Sequence, residues 1–234
     1  MYKISIIQKK GEKEMEENQE NKAQELKQET VNTFNQAKEQ MKNINFKEEA
    51  EIGKSLLGKM WKSPVETIKE VVNDQENKCF KTALLLVAVW GVIEFLKMIL
   101  VFTMSKYADF EFLPTLRSTV APILRVVAMA LALYLVNNRV KDSITKALTS
   151  VTIAYVPGII ASIIGIIPLF ATESIKIISP IISVINILTA ILMYFVVKEY
   201  AKEENEENAV KKFILVEAVF YAIKFAISFL NITI

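Results

Sequence analysis

The chain has 234 residues, 28 of them basic and 26 acidic, a net charge of +2, one cysteine and no histidine. That balance gives no reason to expect a nucleic-acid partner. A lone Cys79 excludes an intrachain disulfide or a multi-cysteine metal site, and without histidine most zinc, haem and non-haem iron sites lose their usual ligand. Only three of the basic residues are arginine, while isoleucine and asparagine are abundant, a bias that fits an AT-rich, bacterial genome.

In chain order, Ile4 to Ile7 is too short an apolar stretch for a secretory signal, and Lys9 and Lys10 follow it. Residues 11–22 are nearly all Glu, Lys, Asn and Gln, which predicts disorder. Apolar residues then return at Leu26, Val31, Phe34, Ala37, Met41 and Ile44, a thin stripe on one helical face. The stripe is too thin for a stable coiled coil and fits a helix that forms on a membrane or a partner. Residues 1–50 therefore read as a polar, disordered or loosely helical cytoplasmic extension, and 51–81 as amphipathic juxtamembrane helices.

Within that second segment, Ile52, Leu56, Met60 and Trp61 form a stronger stripe, with Lys54, Lys59 and Lys62 around the other faces. A basic amphipathic helix with a tryptophan suits the cytoplasmic headgroup layer. Ser63-Pro64-Val65-Glu66 restarts the helix, with Ser63 as cap, Pro64 at the first helical position and Glu66 completing a capping box. Val65, Ile68 and Val72 then form a face for the membrane or the bundle. A plain linker helix and a specific docking element both fit this segment.

From Ala83 onward five apolar runs follow, at about 82–104, 118–137, 147–170, 178–198 and 212–231. Each is close to the roughly 20 residues a helix needs to cross the hydrocarbon core. The predicted fold is all-α, a polytopic membrane protein of five transmembrane helices with a partly helical N-terminal extension. Lys62, Lys69, Lys78 and Lys81 precede the first span. Arg139, Lys141 and Lys146 fill one loop, and Lys198, Lys202, Lys211 and Lys212 another. The alternate loops hold only Lys106 and Arg117, or Lys176. The positive-inside rule then predicts a cell-membrane protein with a cytoplasmic N-terminus and Ile234 outside. Asn231-Ile232-Thr233 matches a glycosylation sequon by chance, too near the membrane to be used.

Five ionisable residues fall inside the spans: Glu94, Lys97, Arg125, Glu217 and Lys224. Each is costly in lipid and is expected to face the bundle, pair or snorkel. Glu94 and Lys97 lie three apart on one face; Lys97 and Arg125 are expected at similar depth with Glu94 about one turn deeper, so Glu94 is placed to bridge both cations. Glu217, Tyr221, Lys224 and Ser228 make a polar stripe on the last span, beside Ala218, Ala222 and Ala226, which predicts that this span packs deep in the bundle. A packing network, an ion or proton path through Glu94, and snorkelling of Glu217 and Arg125 are the competing readings. In the third span, Tyr155-Val156-Pro157-Gly158 predicts a kink, and Gly158, Ala161, Ser162 and Gly165 provide a small face for close helix contact. Pro122 and Pro180, near the outer ends of their spans, are expected to start those helices.

A polar cytoplasmic N-terminus, a short proline-led segment, five closely spaced spans and an outside C-terminus together resemble the Yip (Ypt-interacting protein) domain family. Ser63-Pro64-Val65-Glu66-Thr67-Ile68 is similar to the segment that opens bacterial members. Ala154-Tyr155-Val156-Pro157, with the stretch from Lys146 leading into it, is similar to the family's third span. The resemblance covers about residues 56–231 and rests mainly on topology. It implies a non-enzymatic five-helix membrane protein; eukaryotic members act in vesicle trafficking with prenylated Rab-type GTPases. Their Asp-Leu-Tyr-Gly-Pro signature is absent here, so a Rab partner is not implied and no catalytic residue is carried over.

Two functions stay open. One is a membrane scaffold, adaptor or membrane-organising factor that recruits a partner through residues 1–81. The other is a small-solute or ion permeation protein lined by Glu94, Lys97, Arg125 and Lys224. An intramembrane enzyme is not expected, because the acidic cluster Glu203, Glu204, Glu206 and Glu207 lies in a cytoplasmic loop. That cluster reads as solvated, with weak divalent-cation binding as the alternative. No cofactor or metal site is expected. The expected partners are the lipid bilayer, a protein bound through the N-terminal segment and, by the small-residue faces, a second copy of the chain.

Overall fold

The computed structural model describes residues 45–104, 111–137, 144–171, 174–202 and 205–228, with six isolated helical positions between 28 and 39. Met1–Asn43 and Ile44–Ile234 form two compact units. In the first, Val31 is helical and exposed; Leu26, Phe34, Ala37, Met41 and Ile44 of the predicted stripe lie outside the described residues. So do residues 11–22, Lys106, Arg139, Lys141, Glu203, Glu204 and the Asn231 sequon.

Among its described residues the second unit consists of helices joined by short turns, with no strand. Its helices are α1 (Phe46–Lys62), α2 (Pro64–Asn73), α3 (Phe80–Met104), α4 (Phe112–Val136), α5 (Ile144–Ala154), α6 (Val156–Ile164), α7 (Ile167–Phe170), α8 (Ile175–Ala201) and α9 (Glu206–Ser228). Helices α3, α4 and α8 are each long and apolar enough to cross a membrane, and α5 with α6–α7 forms a fourth such unit bent by 42°. The protein is therefore an all-helical, multi-pass type of chain. Its outer face is apolar: Val92, Phe95 and Leu96 of α3 and Ile181, Val184 and Ile187 of α8 are exposed. Water would penalise such a surface, whereas lipid matches it.

The bend falls at Tyr155. Pro157 has no N–H to give to the carbonyl four residues back, so the ladder breaks there; the Tyr155 N–H instead reaches both Val151 and Thr152 carbonyls, at 3.0 and 3.1 Å. A second break at Gly165–Ile166 precedes Pro168. Pro122 and Pro180, in contrast, lie inside α4 and α8 and do not start them. Both helices begin earlier than the predicted spans, at Phe112 and Ile175, because the apolar Phe112, Leu113 and Leu116 continue α4 and Ile175, Ile177 and Ile178 open α8.

Helix α3 packs along α4 and α5, α4 also along α9, and α8 along α6, α9 and α2. The tightest core lies toward the end carrying α2. Ile68 of α2, Val126, Met129 and Leu133 of α4, Val151 of α5 and Val196 of α8 are all at most 1% exposed. Ala128, Ala130 and Ala132 of α4 and Ala147 and Ala154 of α5 are buried among them, small enough for close backbone approach.

Helix α1 begins at Phe46, five residues ahead of the predicted juxtamembrane segment, because its first turns already pack. The buried Glu49 carboxylate accepts the Thr82 hydroxyl at 2.7 Å. The buried face runs Glu49, Gly53, Leu56, Met60, which leaves Ile52 at its edge and Trp61 85% exposed. On α2, Thr67, Ile68, Val71 and Val72 are buried against α5 and α8. The α1–α2 hairpin is thus docked on the bundle, with Lys59–Glu70 at 2.6 Å joining its two helices and Lys69–Glu199 at 3.9 Å reaching α8.

Candidate functional site

A partly enclosed cavity of about 330 Å³ lies among α3, α4, α6 and α8, away from the packed end. Each helix supplies one line of residues at four- and three-residue steps, the spacing that stacks side chains on one face. Trp90, Glu94 and Lys97 come from α3, and Ser118, Pro122 and Arg125 from α4. Gly158, Ala161 and Gly165 come from α6 and its end, and Ile182, Asn186 and Thr189 from α8.

The kink is fixed to this wall by Trp90, which is only 3% exposed. Its indole N–H donates to the Ser162 hydroxyl at 2.8 Å, and its ring lies 6.0 Å from that of Tyr155. Gly158 lets this happen, since a Cβ there would sit 3.5 Å from the indole. Tyr155 and Gly158 of the predicted kink therefore border the cavity, and Pro157 is buried beside them.

The predicted charge network divides in two. Glu94, Lys97 and Arg125 share the cavity. Glu94 pairs with Lys97 at 3.3 Å, with side chains 15% and 31% exposed. The expected Glu94 bridge to Arg125 is not formed: among the described residues, Arg125 makes no hydrogen bond or ion pair. Glu217, Tyr221 and Lys224 sit on α9, outside the cavity wall. There Lys224 lies 5.9 Å from the Tyr221 ring centroid, and Tyr221 is 60% exposed. Helix α9 buries only Ala209, Val216 and Phe220. It is peripheral, contrary to the expectation from its polar stripe, and Ala218, Ala222 and Ala226 face outward. Trp90, Ser118, Asn186 and Thr189 belong to the site without having been singled out. Trp90 and Ser118 share the four-and-three spacing of the charged residues on their own helices, whereas Asn186 and Thr189 come from a helix with no charge in the wall and are placed by tertiary packing.

The juxtamembrane motif is also rearranged. Ser63 makes no side-chain cap, and the Glu66 side chain is exposed, so the capping box is absent. The Ser63 carbonyl instead accepts both the Thr67 N–H and its hydroxyl, at 3.0 and 2.9 Å. Pro64 holds the first helical position as expected.

Several groups near the helix ends are perturbed, among them Lys59, Cys79 and Glu206. The Glu70 carboxylate raises Lys59 above the ordinary lysine value, and burial raises the Cys79 thiol. Hydrogen bonds from Lys198 and then Tyr194 hold Glu206 below the usual carboxylate range. Of the acidic cluster, Glu206 is thus engaged with Lys198 and Tyr194, and Glu207 with Lys211 at 2.6 Å. Among the described residues no group of three or more Cys, Asp or Glu is placed to hold a metal ion.

No family model matches the chain, and no curated protein or solved structure matches it. The fold itself defines the class: an all-helical protein with three or four membrane-length helices and a docked amphipathic hairpin.

Proposed function

We propose that this is a non-enzymatic integral membrane scaffold or adaptor of Yip-like architecture. In this reading the bundle anchors the chain and the N-terminal segment recruits a protein partner on the cytoplasmic side of the cell membrane. Helix α9 is the fifth span. At 23 residues it is about 34 Å long, and it lies along α4 and α8, both of membrane length. The lysines flanking α2, α3 and α9 favour a cytoplasmic N-terminus and an outside C-terminus.

The observation that carries the proposal is the α1–α2 hairpin, whose Leu56, Met60, Ile68, Val71 and Val72 belong to the same core as the bundle. A segment joined to such a base has a fixed attachment point, which an adaptor needs and a pore does not. The test follows from its boundary. Full-length protein and a version lacking residues 1–43 are purified from native membranes in mild detergent and compared by mass spectrometry. The proposal expects a stoichiometric partner that is lost on truncation while the bundle still inserts. The same partner on both versions, or none on either, refutes it.

The cavity favours a second reading, permeation through Glu94, Lys97, Arg125 and Lys224. Two observations weigh against it. Lys224 is not in the cavity wall, and the route onward meets the packed layer of Met129, Leu133, Val151 and Val196. Glu94→Gln is expected to leave solute flux unchanged in a reconstituted liposome assay, and a loss of flux would favour the pore.

A further inference from the structure

The cavity among α3, α4, α6 and α8 has a charge pattern that neither the anchoring role nor the packing of the bundle requires. Within it the Glu94 carboxylate and the Lys97 ammonium, 3.3 Å apart, offset one another. Arg125 remains. Its guanidinium is always charged and carries five N–H donors in a fixed fork. It stands thirteen residues into a 25-residue apolar helix, where an unpaired charge is costly. Net charge on the wall is therefore +1, and the strongest donor group in it has, among the described residues, no acceptor.

Neutral hydrogen-bonding groups flank that cation. Ser118 lies on the same face of α4 two turns away, and Asn186 faces the cavity from α8. Pro122 cannot donate to the Ser118 carbonyl, so this turn of α4 is left free of one ladder bond. We propose that the cavity is a binding site for a phosphate group. Arg125 engages it through its fork, the Lys97 ammonium, while paired with Glu94, adds a hydrogen-bond donor, and Ser118 and Asn186 hydrogen-bond the remaining oxygens. Donors approaching from three helices suit a tetrahedral phosphate, whose acceptors point in several directions, better than a planar carboxylate. A volume of 330 Å³ sits near the lower end of small-ligand pockets, roughly 300–1,000 Å³, so the occupant is headgroup-sized or smaller. The phosphate belongs either to a lipid headgroup or to a free anion, and the test separates the two.

The sequence has two tryptophans, so Trp61→Phe leaves Trp90, in the cavity wall, as the only tryptophan, read by excitation at the red edge where tyrosine does not absorb. Full-length protein carrying that change, in dodecyl maltoside without phosphate, is titrated with inorganic phosphate and separately with dihexanoyl phosphatidylglycerol. Dihexanoylglycerol, which lacks the phosphate, is the control. The proposal expects a saturable change in Trp90 emission with a phosphate-bearing probe and none with the control. A response to inorganic phosphate assigns a free anion; a response to the phospholipid alone assigns a headgroup. Arg125→Gln is expected to weaken binding about tenfold or more, as loss of charge-assisted hydrogen bonds implies. Lys211→Met, on the surface of α9, is expected to change nothing. Should Arg125→Gln fail to fold, Ala121→Leu decides, because it fills the cavity wall without removing a charge and is expected to weaken binding too. No saturable response to either probe overturns the proposal, as does parental binding by the folded variants.

Discussion

Trp90 holds two parts of the molecule at once, since its ring is buried on α3 while its N–H is bonded to Ser162 on α6. A double-mutant cycle of Trp90→Phe and Ser162→Ala, read as unfolding free energy in detergent, is expected to give a coupling of about 0.5–1.5 kcal/mol. Additive effects would show that the bond contributes nothing. Cys79 makes a second prediction. Burial raises its thiol, so little thiolate is present at neutral pH, and maleimide labelling of the folded protein is expected to be slower than that of the denatured chain. Equal rates would place the thiol in open water. Glu206 gives a third, with a pH sign. Its carboxyl is depressed in the folded protein, so its contribution is present above the unfolded pKa and lost as pH falls through the folded one. The melting difference between wild type and Lys198→Met is expected to shrink on acidification; because the pair is at the surface, that difference is small even at neutral pH.

At the scale of elements, the bend at Tyr155 and the docking of α1 can be tested separately. Gly158→Ala is expected to be tolerated, because the added Cβ meets Trp90 at ordinary contact distance. Gly158→Leu overpacks the same place and is expected to cost about 1–3 kcal/mol in unfolding free energy. If the two substitutions behave alike, α6 does not seat against Trp90. Thr82→Val removes the donor to a buried carboxylate and is expected to loosen α1, seen as faster proteolysis within residues 46–62. The helices themselves were legible in the apolar runs, and the bend in Pro157, because both depend on local chemistry. The capping box was not, since Ser63 ended one helix and opened another, and its carbonyl found Thr67 first. Nor was the place of α9. A polar stripe beside three alanines suits burial against a helix, yet α4 filled its buried face with Ala128, Ala130 and Ala132 instead. The Glu94–Lys97 pair was legible from its spacing of three. Asn186 reaches the same cavity only through tertiary packing, which no local pattern encodes.

For the whole molecule, apolar surface decides which parts fold together. The helices of membrane length carry apolar side chains outward as well as inward, and the α1–α2 hairpin shares one core with them. The hairpin is consequently part of the domain and not a tether between the bundle and residues 1–43. A truncation meant to remove the N-terminal segment belongs at residue 43; one at residue 62 takes away Leu56 and Met60 and is expected to lower the yield of folded protein. The most direct test of this central claim is hydrogen exchange of the full-length protein in lipid nanodiscs, followed by mass spectrometry of peptides from residues 46–73. The account predicts protection in α1 and α2 that persists for hours and is lost together with that of α5 and α8 as denaturant is added. Exchange of α1 and α2 within seconds, independent of the bundle, would show a surface helix pair and would contradict it.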